Sequence, residues 1–487
     1  MTFSQARRSA VVCLAGALSI SLAAGSPATR ETQSSQPVMF RGDAQHSGAY
    51  SDGPRQLRFK WSFKTHGKIR STAAVVDGIV CFGSEDGNLY ALDAPSGALR
   101  WKYATDGDLS SSPAVAGGVV YVTGGDGAFL ALDLQTGKLA WRFQTGKQLV
   151  FEQSKGDPRN WDIWQSSPVV VGDRVYFGSG DGFVYALDRR SGKEAWKYKT
   201  EAVIRTSPAV AKGVVYIGGF DGKLYALDAQ SGKLKWSFKT EGNAFFKTGE
   251  IQGSPSVADG RVFFGARDGF VYAVDAESGK QLWRSDHKGS WVPTSPAVSD
   301  GVVYAGSSDG QFVQAVDAKT GVEKWRFDSK MRVFSSPVVA SGRVYFGITN
   351  GDLVALHAAD GKEATRALTQ NAIHASPVIA GGNVYIGSDD SNLYCFGASP
   401  VETYKAVSVP PQVLDRYVGD YDTGFGMTVT LSRDGDKLVM KAPQASPLEA
   451  LSPNHFFSRD LDIEIDFGAS GQVTMSQGGF GFPLKKK

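Results

Sequence analysis

The sequence predicts an all-β chain: a closed eight-bladed β-propeller followed by a small antiparallel β-domain. Three observations predict it. A unit of about 40 residues recurs along most of the chain, marked by Trp61, Trp101, Trp141, Trp196, Trp236, Trp283 and Trp325. Within each unit, short β-prone apolar runs alternate with Asp-Gly and Ser-Gly turns. The composition agrees, since 58 Gly with 28 Phe, 17 Tyr and 10 Trp in 487 residues suits short strands joined by tight turns.

The chain opens with a secretory leader over residues 1–25. Arg7 and Arg8 supply the positive start, Ser9 to Ala24 the short apolar run, and small residues follow, placing cleavage between Ala23 and Ala28. The Arg pair matches a twin-Arg signal weakly, and Cys13 follows too short an apolar run for a lipid anchor. No later segment is long and apolar enough to span a membrane. The expected location is the periplasm or the exterior. Net charge is only +3, part of it in the leader, so nothing points to nucleic acid. Beyond the leader, Cys81 and Cys395 fall in neighbouring blades. Export permits a disulfide, but two small buried residues is the simpler reading, because disulfide geometry is demanding.

The propeller is expected over residues 38–398. Thr206 to Thr240 shows the unit. Ser207-Pro208-Ala209-Val210 starts the innermost strand, where small residues suit the crowding around an axis and Pro is tolerated at a strand's first residue. Val214 to Gly218 is the second strand, Asp221-Gly222 a hairpin turn, and Leu224 to Leu227 the third strand. Asp228 and Ser231-Gly232 make the next turn, and Trp236 lies on the outer strand, facing the adjacent blade. Spacing between successive marker positions is 40, 40, 55, 40, 47, 42 and 40 residues, ending at Thr365, which replaces the eighth tryptophan. The long intervals locate insertions near 147–162 and 241–251. The last unit stops after Phe396 without an outer strand, whereas residues 58–65 form an outer strand with no blade before them. Joining the two closes the ring and removes an exposed edge.

Residues 399–412 carry Pro410 and Pro411 and read as a linker. Residues 413–487 form the small β-domain. Thr428 to Ser432, an Asp434-Gly435 turn and Lys437 to Met440 make a hairpin. Asp460 to Phe467 alternates acidic residues with Leu461, Ile463, Ile465 and Phe467, as a half-buried strand does; its acidic face is either solvated or a calcium site. Lys485 to Lys487 read as a solvated tail.

Ala186 to Trp196 and Ala226 to Trp236 follow Ala-Leu-Asp-x-x-Ser-Gly-Lys-x-x-Trp. This resembles the tryptophan-docking motif of the pyrroloquinoline-quinone (PQQ)-like, quinoprotein alcohol dehydrogenase-like propeller superfamily. In repeat type and blade count the chain resembles the propeller subunit of the outer-membrane β-barrel assembly machine. The Gly-His and Trp-Asp signatures of the rival WD-repeat fold are missing from the repeat, and Trp161-Asp162 lies in an insertion. The stretch from Tyr417 to Phe467 is similar to a β-domain that follows some β-lactamase-like hydrolases.

The superfamily's enzymes imply PQQ with calcium on the propeller axis, ligated by acidic and amide side chains, stacked on a Trp, with an Asp as base. The sequence departs from this. It has no adjacent cysteine pair and no Cys-x-x-Cys-His, and no calcium ligands or catalytic Asp can be assigned. Asp93, Asp133, Asp188 and Asp228 are turn residues repeated in every blade. Serine-hydrolase, zincin and phosphate-loop motifs are missing, and six scattered histidines do not suggest a multi-His metal site.

What remains is a binding surface where outer-to-inner connections converge around the channel mouth. Three residues before each inner-strand Pro stand Arg70, Ser110, Gln165, Arg205, Gln252, Pro293, Phe334 and His374. Five before it stand Lys68, Asp108, Ile163, Val203, Glu250, Trp291, Arg332 and Ala372. Strand alternation turns both columns to the mouth and points the intervening apolar column, Ile69 through Ile373, into the blades. Arg70, Gln165, Arg205, Gln252, Trp291, Arg332, Phe334 and His374 are therefore the candidate ligand-binding residues, against the plain alternative of solvated loop ends. Planar cations beside aromatic rings suit an envelope protein partner or an anionic or sugar-like ligand. The sequence favours a non-catalytic binding scaffold, ahead of a PQQ-dependent dehydrogenase of alcohols or sugars. A polysaccharide-binding protein, suggested by Trp161, Trp164 and Trp291, comes third.

Overall fold

A computed structural model describes residues 38–148, 165–244, 247–398, 406–424, 428–441, 445–458, 463–468, 471–477 and 480–487. The expected leader, with Arg7, Arg8 and Cys13, lies outside them, as do most of the first insertion with Ile163, Trp161 and Trp164. No helix among the described residues is long and apolar enough to cross a membrane.

Eight antiparallel sheets form the blades of the propeller, and eight further strands close into a barrel. Blade 4 shows the common plan: strands Ala209–Ala211, Val214–Gly218, Lys223–Asp228 and Leu234–Lys239. Blade 8 combines strands Val378–Ala380, Asn383–Gly387 and Asn392–Gly397 with Arg58–Lys64 from the start of the propeller, so the ring closes by pairing Trp61 with Cys395. Cys81 and Cys395 are both buried free thiols, filling the blade cores as small apolar groups.

The recurring residues are explained by what they touch. Each outer-strand indole donates from Nε1 to a turn carbonyl of the next blade: Trp61 to Ala94, Trp101 to Leu134, Trp141 to Arg189, Trp196 to Ala229, Trp236 to Ala276, Trp283 to Ala318 and Trp325 to Ala358, all at 2.9–3.2 Å. The indole lies on the Ser-Gly or Thr-Gly turn, or, for Trp325, on Asp360-Gly361. At Gly97 the backbone has φ +72°, and a Cβ there would stand 2.7 Å from the Trp61 ring, so both conformation and space require glycine. The turn aspartates are structural. Asp93, Asp133, Asp188 and Asp228 each accept from the backbone N–H and hydroxyl of the Ser or Thr three residues on.

The seam between blades 7 and 8 differs, and this explains Thr365. Blade 8 takes its outer strand from the chain's start, so it has no Asp-x-x-Ser-Gly turn for a tryptophan to dock on. The incoming strap substitutes for the turn. The Pro54 carbonyl accepts from Tyr345 Oη at 2.7 Å, the part played between other blades by Ala229 for Tyr176 and Ala276 for Tyr216. Leu57 packs beside Tyr345, Ile379 and Tyr394 in the same apolar cluster.

The C-terminal strands run in sequence order from Gly419–Asp422 to Phe480–Lys486, which pair with each other to close the barrel. Its core holds Leu431, Leu438, Met440, Phe456, Ile463, Ile465 and Leu484. Ile463, Ile465 and Phe467 face inward as alternation requires, while Asp460, Leu461 and Asp462 lie outside the described residues. Two readings change here. Lys485 and Lys486 are solvent-exposed as expected but belong to the closing strand and are not a free tail. Glu464, on the acidic face, is committed to an ion pair with Arg58 at 2.6 Å. The Arg58 guanidinium also lies 4.5 Å from the Phe457 ring, joining barrel to propeller.

Candidate functional site: a blind cavity on the propeller axis

Two rings of side chains line an axial cavity of about 70 Å³. The outer ring is the column three residues before the inner-strand proline: Arg70, Ser110, Gln165, Arg205, Gln252, Pro293, Phe334 and His374. The inner ring is the column one before it: Thr72 and seven serines, from Ser112 to Ser376. The hydroxyls form a girdle. Backbone N–H groups of Thr72, Ser112, Ser167, Ser207, Ser254, Ser295 and Ser336 each donate to the Oγ of the next blade's serine at 2.8–3.1 Å. A hydroxyl is therefore needed at each step to satisfy a buried amide, beyond the small size that crowding demands.

The far end of the channel is filled by residues 38–50, which carry no repeat signature. Val38 pairs with Val115, and the carbonyls of Ala44, Gln45, Ser47 and Gly48 accept from the N–H groups of Val210, Val257, Val298 and Val339 at 2.6–2.8 Å. Phe40 forms the cavity floor, and the Arg41 guanidinium is buried below, with Nη1 donating to the Pro337 carbonyl at 2.7 Å. The cavity is thus open only at the mouth.

The mouth cations are held by carboxylates. Arg70 grips Asp389 through Nε at 3.0 Å and Nη2 at 2.8 Å, and Glu85 through Nη1 at 3.1 Å. His374 Nδ1 lies 3.2 Å from Asp389 Oδ1. Burial pushes the Asp389 carboxyl up, but the bonds from His374 and Arg70 more than reverse this and hold it far below the usual carboxylate range. For Glu85 burial wins over Arg70, and its carboxyl is raised. Arg332 donates from Nε to Asp309 at 2.8 Å, and Trp291 Nε1 donates to the other oxygen at 3.2 Å.

An arc of rings and cations runs along one side. Arg267 lies 5.0 Å from the Phe220 ring and 4.9 Å from the Trp291 ring. Trp291 meets Phe334 edge-on at 5.9 Å, and Phe334 meets His374 at 5.3 Å. Arg267 Nε donates to Gln252 Oε1 at 3.1 Å, while Gln165 Nε2 donates to the Asp108 carbonyl at 3.0 Å. Arg205 extends over blade 3, where a Cβ on Gly180 would collide with its guanidinium.

Of the eight candidate residues, the structure brings Arg70, Gln165, Arg205, Gln252, Phe334 and His374 together around the cavity. Trp291 and Arg332, from the column five before proline, stand outside its lining. Alternation fails there because the ladder has not begun. The carbonyls of Lys68, Val203, Glu250, Trp291, Arg332 and Ala372 accept instead from Glu85, Phe220, Arg267, Ser308, Thr349 and Asp389. Those partners sit just before the Asp-Gly turn and its equivalents, and they push the column into an outer layer. They are also the residues of this candidate site missed by sequence reasoning, although their variation from Glu to Phe to Arg was a signal. Trp291 is 7% exposed, with Arg267 over its ring, which leaves little face for a sugar.

The residues do not fit PQQ held by calcium. Among the described residues the lining offers hydroxyls, two carboxamides and cations but no carboxylate, and both carboxamide oxygens already accept, from the Ser111 N–H and from Arg267. A cavity of about 70 Å³ holds about five water molecules, well below the several hundred Å³ usual for a cofactor-sized ligand. No group of three metal-ligating side chains occurs among the described residues.

Comparison with known proteins followed the same lines. The family model described as outer membrane protein assembly factor BamB matches residues 55–159. No curated protein matches the sequence. Among solved structures, BamB from Moraxella catarrhalis is 21% identical with a TM-score of 0.56, over 70% of this chain and 99% of that one. Quinohemoprotein alcohol dehydrogenase from Comamonas testosteroni is 15% identical with a TM-score of 0.61, over 78% and 84%. A europium-containing methanol dehydrogenase is 16% identical with a TM-score of 0.62, over 74% and 97%. These likenesses establish the shared propeller fold. A second family model, described as the beta-propeller of the beta-alanine-activating enzyme, matches residues 166–442, more than half of the sequence, and to that β-propeller family the chain belongs.

Proposed function

We propose that this chain is an exported, non-catalytic recognition propeller that holds a partner or ligand at the mouth of its axial cavity, in the periplasm or outside the cell. One observation carries the reading. In a repeat whose structural columns (tryptophan, turn glycine, turn aspartate and girdle serine) are nearly uniform, the column lining the cavity changes in almost every blade, from Arg to Gln to Phe to His. A fold-bearing column repeats because the same contact recurs; this one does not need to. The BamB model match supports the reading, because its description names an assembly factor. The dehydrogenase alternative lacks a carboxylate among the described residues of the lining.

The test is capture from envelope extract by the full chain, comparing wild type with Arg205→Ala plus Arg332→Ala. A partner retained by wild type and lost from the double variant supports the reading. A double variant that keeps every partner sinks it.

A further inference from the structure

The strand that closes the ring is also the strand that the barrel grips. Arg58 opens strand Arg58–Lys64 and pairs with Gly397, while Trp61 pairs with Cys395. This pairing joins the two ends of the propeller sequence, so the entropy of closing a long loop opposes it more than it opposes pairing between successive strands. Arg58, at the strand's first position, is 6% exposed.

The barrel supplies a seat for Arg58. Phe456 fills the barrel core, so Phe457, next in its strand, points outward by alternation. Phe457 is nevertheless 5% exposed, and the Arg58 guanidinium lies 4.5 Å from its ring. Phe457 pairs with Glu449 on one side and Glu464 on the other, so the three form one row across neighbouring strands of the outer face. Arg58 Nη1 lies 2.6 Å from Glu464 Oε1, and His455 Nε2 lies 3.4 Å from Oε2. The bond from His455 and the charge of Arg58 outweigh burial and hold the Glu464 carboxyl below its ordinary value. An aromatic face beside an ionised carboxylate fits a guanidinium, which stacks through its plane and donates from its edge.

The far end of the same strand leads into the mouth. The Thr65 N–H donates to the Ser391 carbonyl at 2.8 Å, and Arg70, just beyond, holds Asp389 of blade 8 through Nε at 3.0 Å and Nη2 at 2.8 Å. Arg70 and Trp61 therefore both cross the seam between blades 8 and 1, one at the mouth and one at the rim.

We infer that the C-terminal barrel is a clasp on the ring-closing strand: it pins Arg58, and releasing it loosens the seam between blades 8 and 1 as far as the Arg70–Asp389 contact at the mouth. The clasp does not depend on what the mouth binds.

The two buried cysteines report on it. Cys395 lies opposite Trp61 under the clasped strand, and Cys81 lies in blade 1. Burial pushes both thiols up to about 12, so each reacts only when its surroundings open. The full chain is labelled with iodoacetamide under native conditions, and the labelled cysteines are resolved by peptide mass spectrometry. Arg58→Ala and Glu464→Gln should each speed Cys395 labelling about tenfold while Cys81 stays within about twofold. The double variant should label no more than about twofold faster than the faster single one, because both act through one contact. Phe457→Leu, which removes the ring and keeps both charges, gives the same readout if a charge variant fails to fold. Unchanged Cys395 labelling, an equal rise at Cys81, or effects that multiply in the double variant would overturn the clasp. Amide exchange over residues 65–70 should quicken together with Cys395 labelling, and exchange that stays at the wild-type rate would overturn the link to the mouth.

Discussion

Removing Trp61 tests how the ring is held shut. Its strand is the one that closes blade 8, and its indole docks on blade 1 with Nε1 on the Ala94 carbonyl at 3.1 Å and its face on Gly97. The side chain is 9% exposed. A docked Trp buries about 150–250 Å², worth about 4–6 kcal/mol at 25 cal/mol per Å², and this is an upper bound because unfolded chains already bury some surface. The hydrogen bond adds about 1 kcal/mol. Trp61→Ala should therefore cost about 3–5 kcal/mol, the range for large-to-small aromatic truncations. Thr365→Ala, at the equivalent position of blade 7, should cost less than about 1 kcal/mol, because no turn lies opposite it. Urea denaturation followed by far-UV circular dichroism avoids the fluorescence lost with the indole, and equal slopes would allow the midpoints to be compared. A Trp61→Ala cost below about 1 kcal/mol, or equal costs at both positions, would refute the docking account.

Other perturbations follow from single contacts. Ser207→Ala strands the Ser167 amide in the girdle and should destabilise by about 1–3 kcal/mol, read by thermal unfolding. Tyr345→Phe removes the bond to the Pro54 carbonyl and should cost about 0.5–1.5 kcal/mol; no change would mean that the strap does not substitute for the missing turn. The hydrogen bond between His455 and Glu464 raises His455 above its ordinary value and lowers Glu464 below its own. The His contribution is present at low pH and lost as pH rises through its folded value, whereas the Glu contribution is lost as pH falls through its own. Their joint effect should peak between about pH 4.5 and 6.5, and Glu464→Gln should flatten a melting-temperature profile across that window. Calorimetric titration with PQQ should show no tight, calcium-dependent binding, and a tight calcium-dependent isotherm would revive the dehydrogenase reading.

Much of the propeller was legible because its contacts repeat. The second strand, Val214 to Gly218, is read and observed with the same bounds, and the Asp-Gly and Ser-Gly turns fall where positive φ needs them, except at Asp309-Gly310, where Gln311 takes it at 57°. The serine column was read only as small, since one sequence shows size but hides the amide that each hydroxyl satisfies. Residues 38–50 were silent for a different reason. They pair singly with inner strands of different blades and have no period to detect. Positive φ at Arg41 is likewise invisible in a residue type that rarely adopts it. The lysines of Phe480–Lys486 read as a tail because charge conceals a strand whose partner, Gly419–Asp422, lies far back in the chain.

The repeat also narrows where recognition can occur. Every column that recurs has a contact to make: tryptophan on the next turn, glycine beneath it, aspartate on its own Ser or Thr, serine on the neighbouring amide. Three columns vary freely, the residues three and five before proline and those before the Asp-Gly turn, and all belong to the mouth end of the blades. They are also joined to each other, Arg70 with Glu85 and Asp389, Gln252 with Arg267. The opposite end of the channel is filled by residues 38–50 through backbone bonds to inner strands of five blades. A ligand approaching the axis from that end would have to break those bonds and expose Arg41, whereas at the mouth it meets side chains that already vary from blade to blade. On the proposed reading, specificity can therefore change by substituting one mouth residue at a time without altering any contact on which the ring depends.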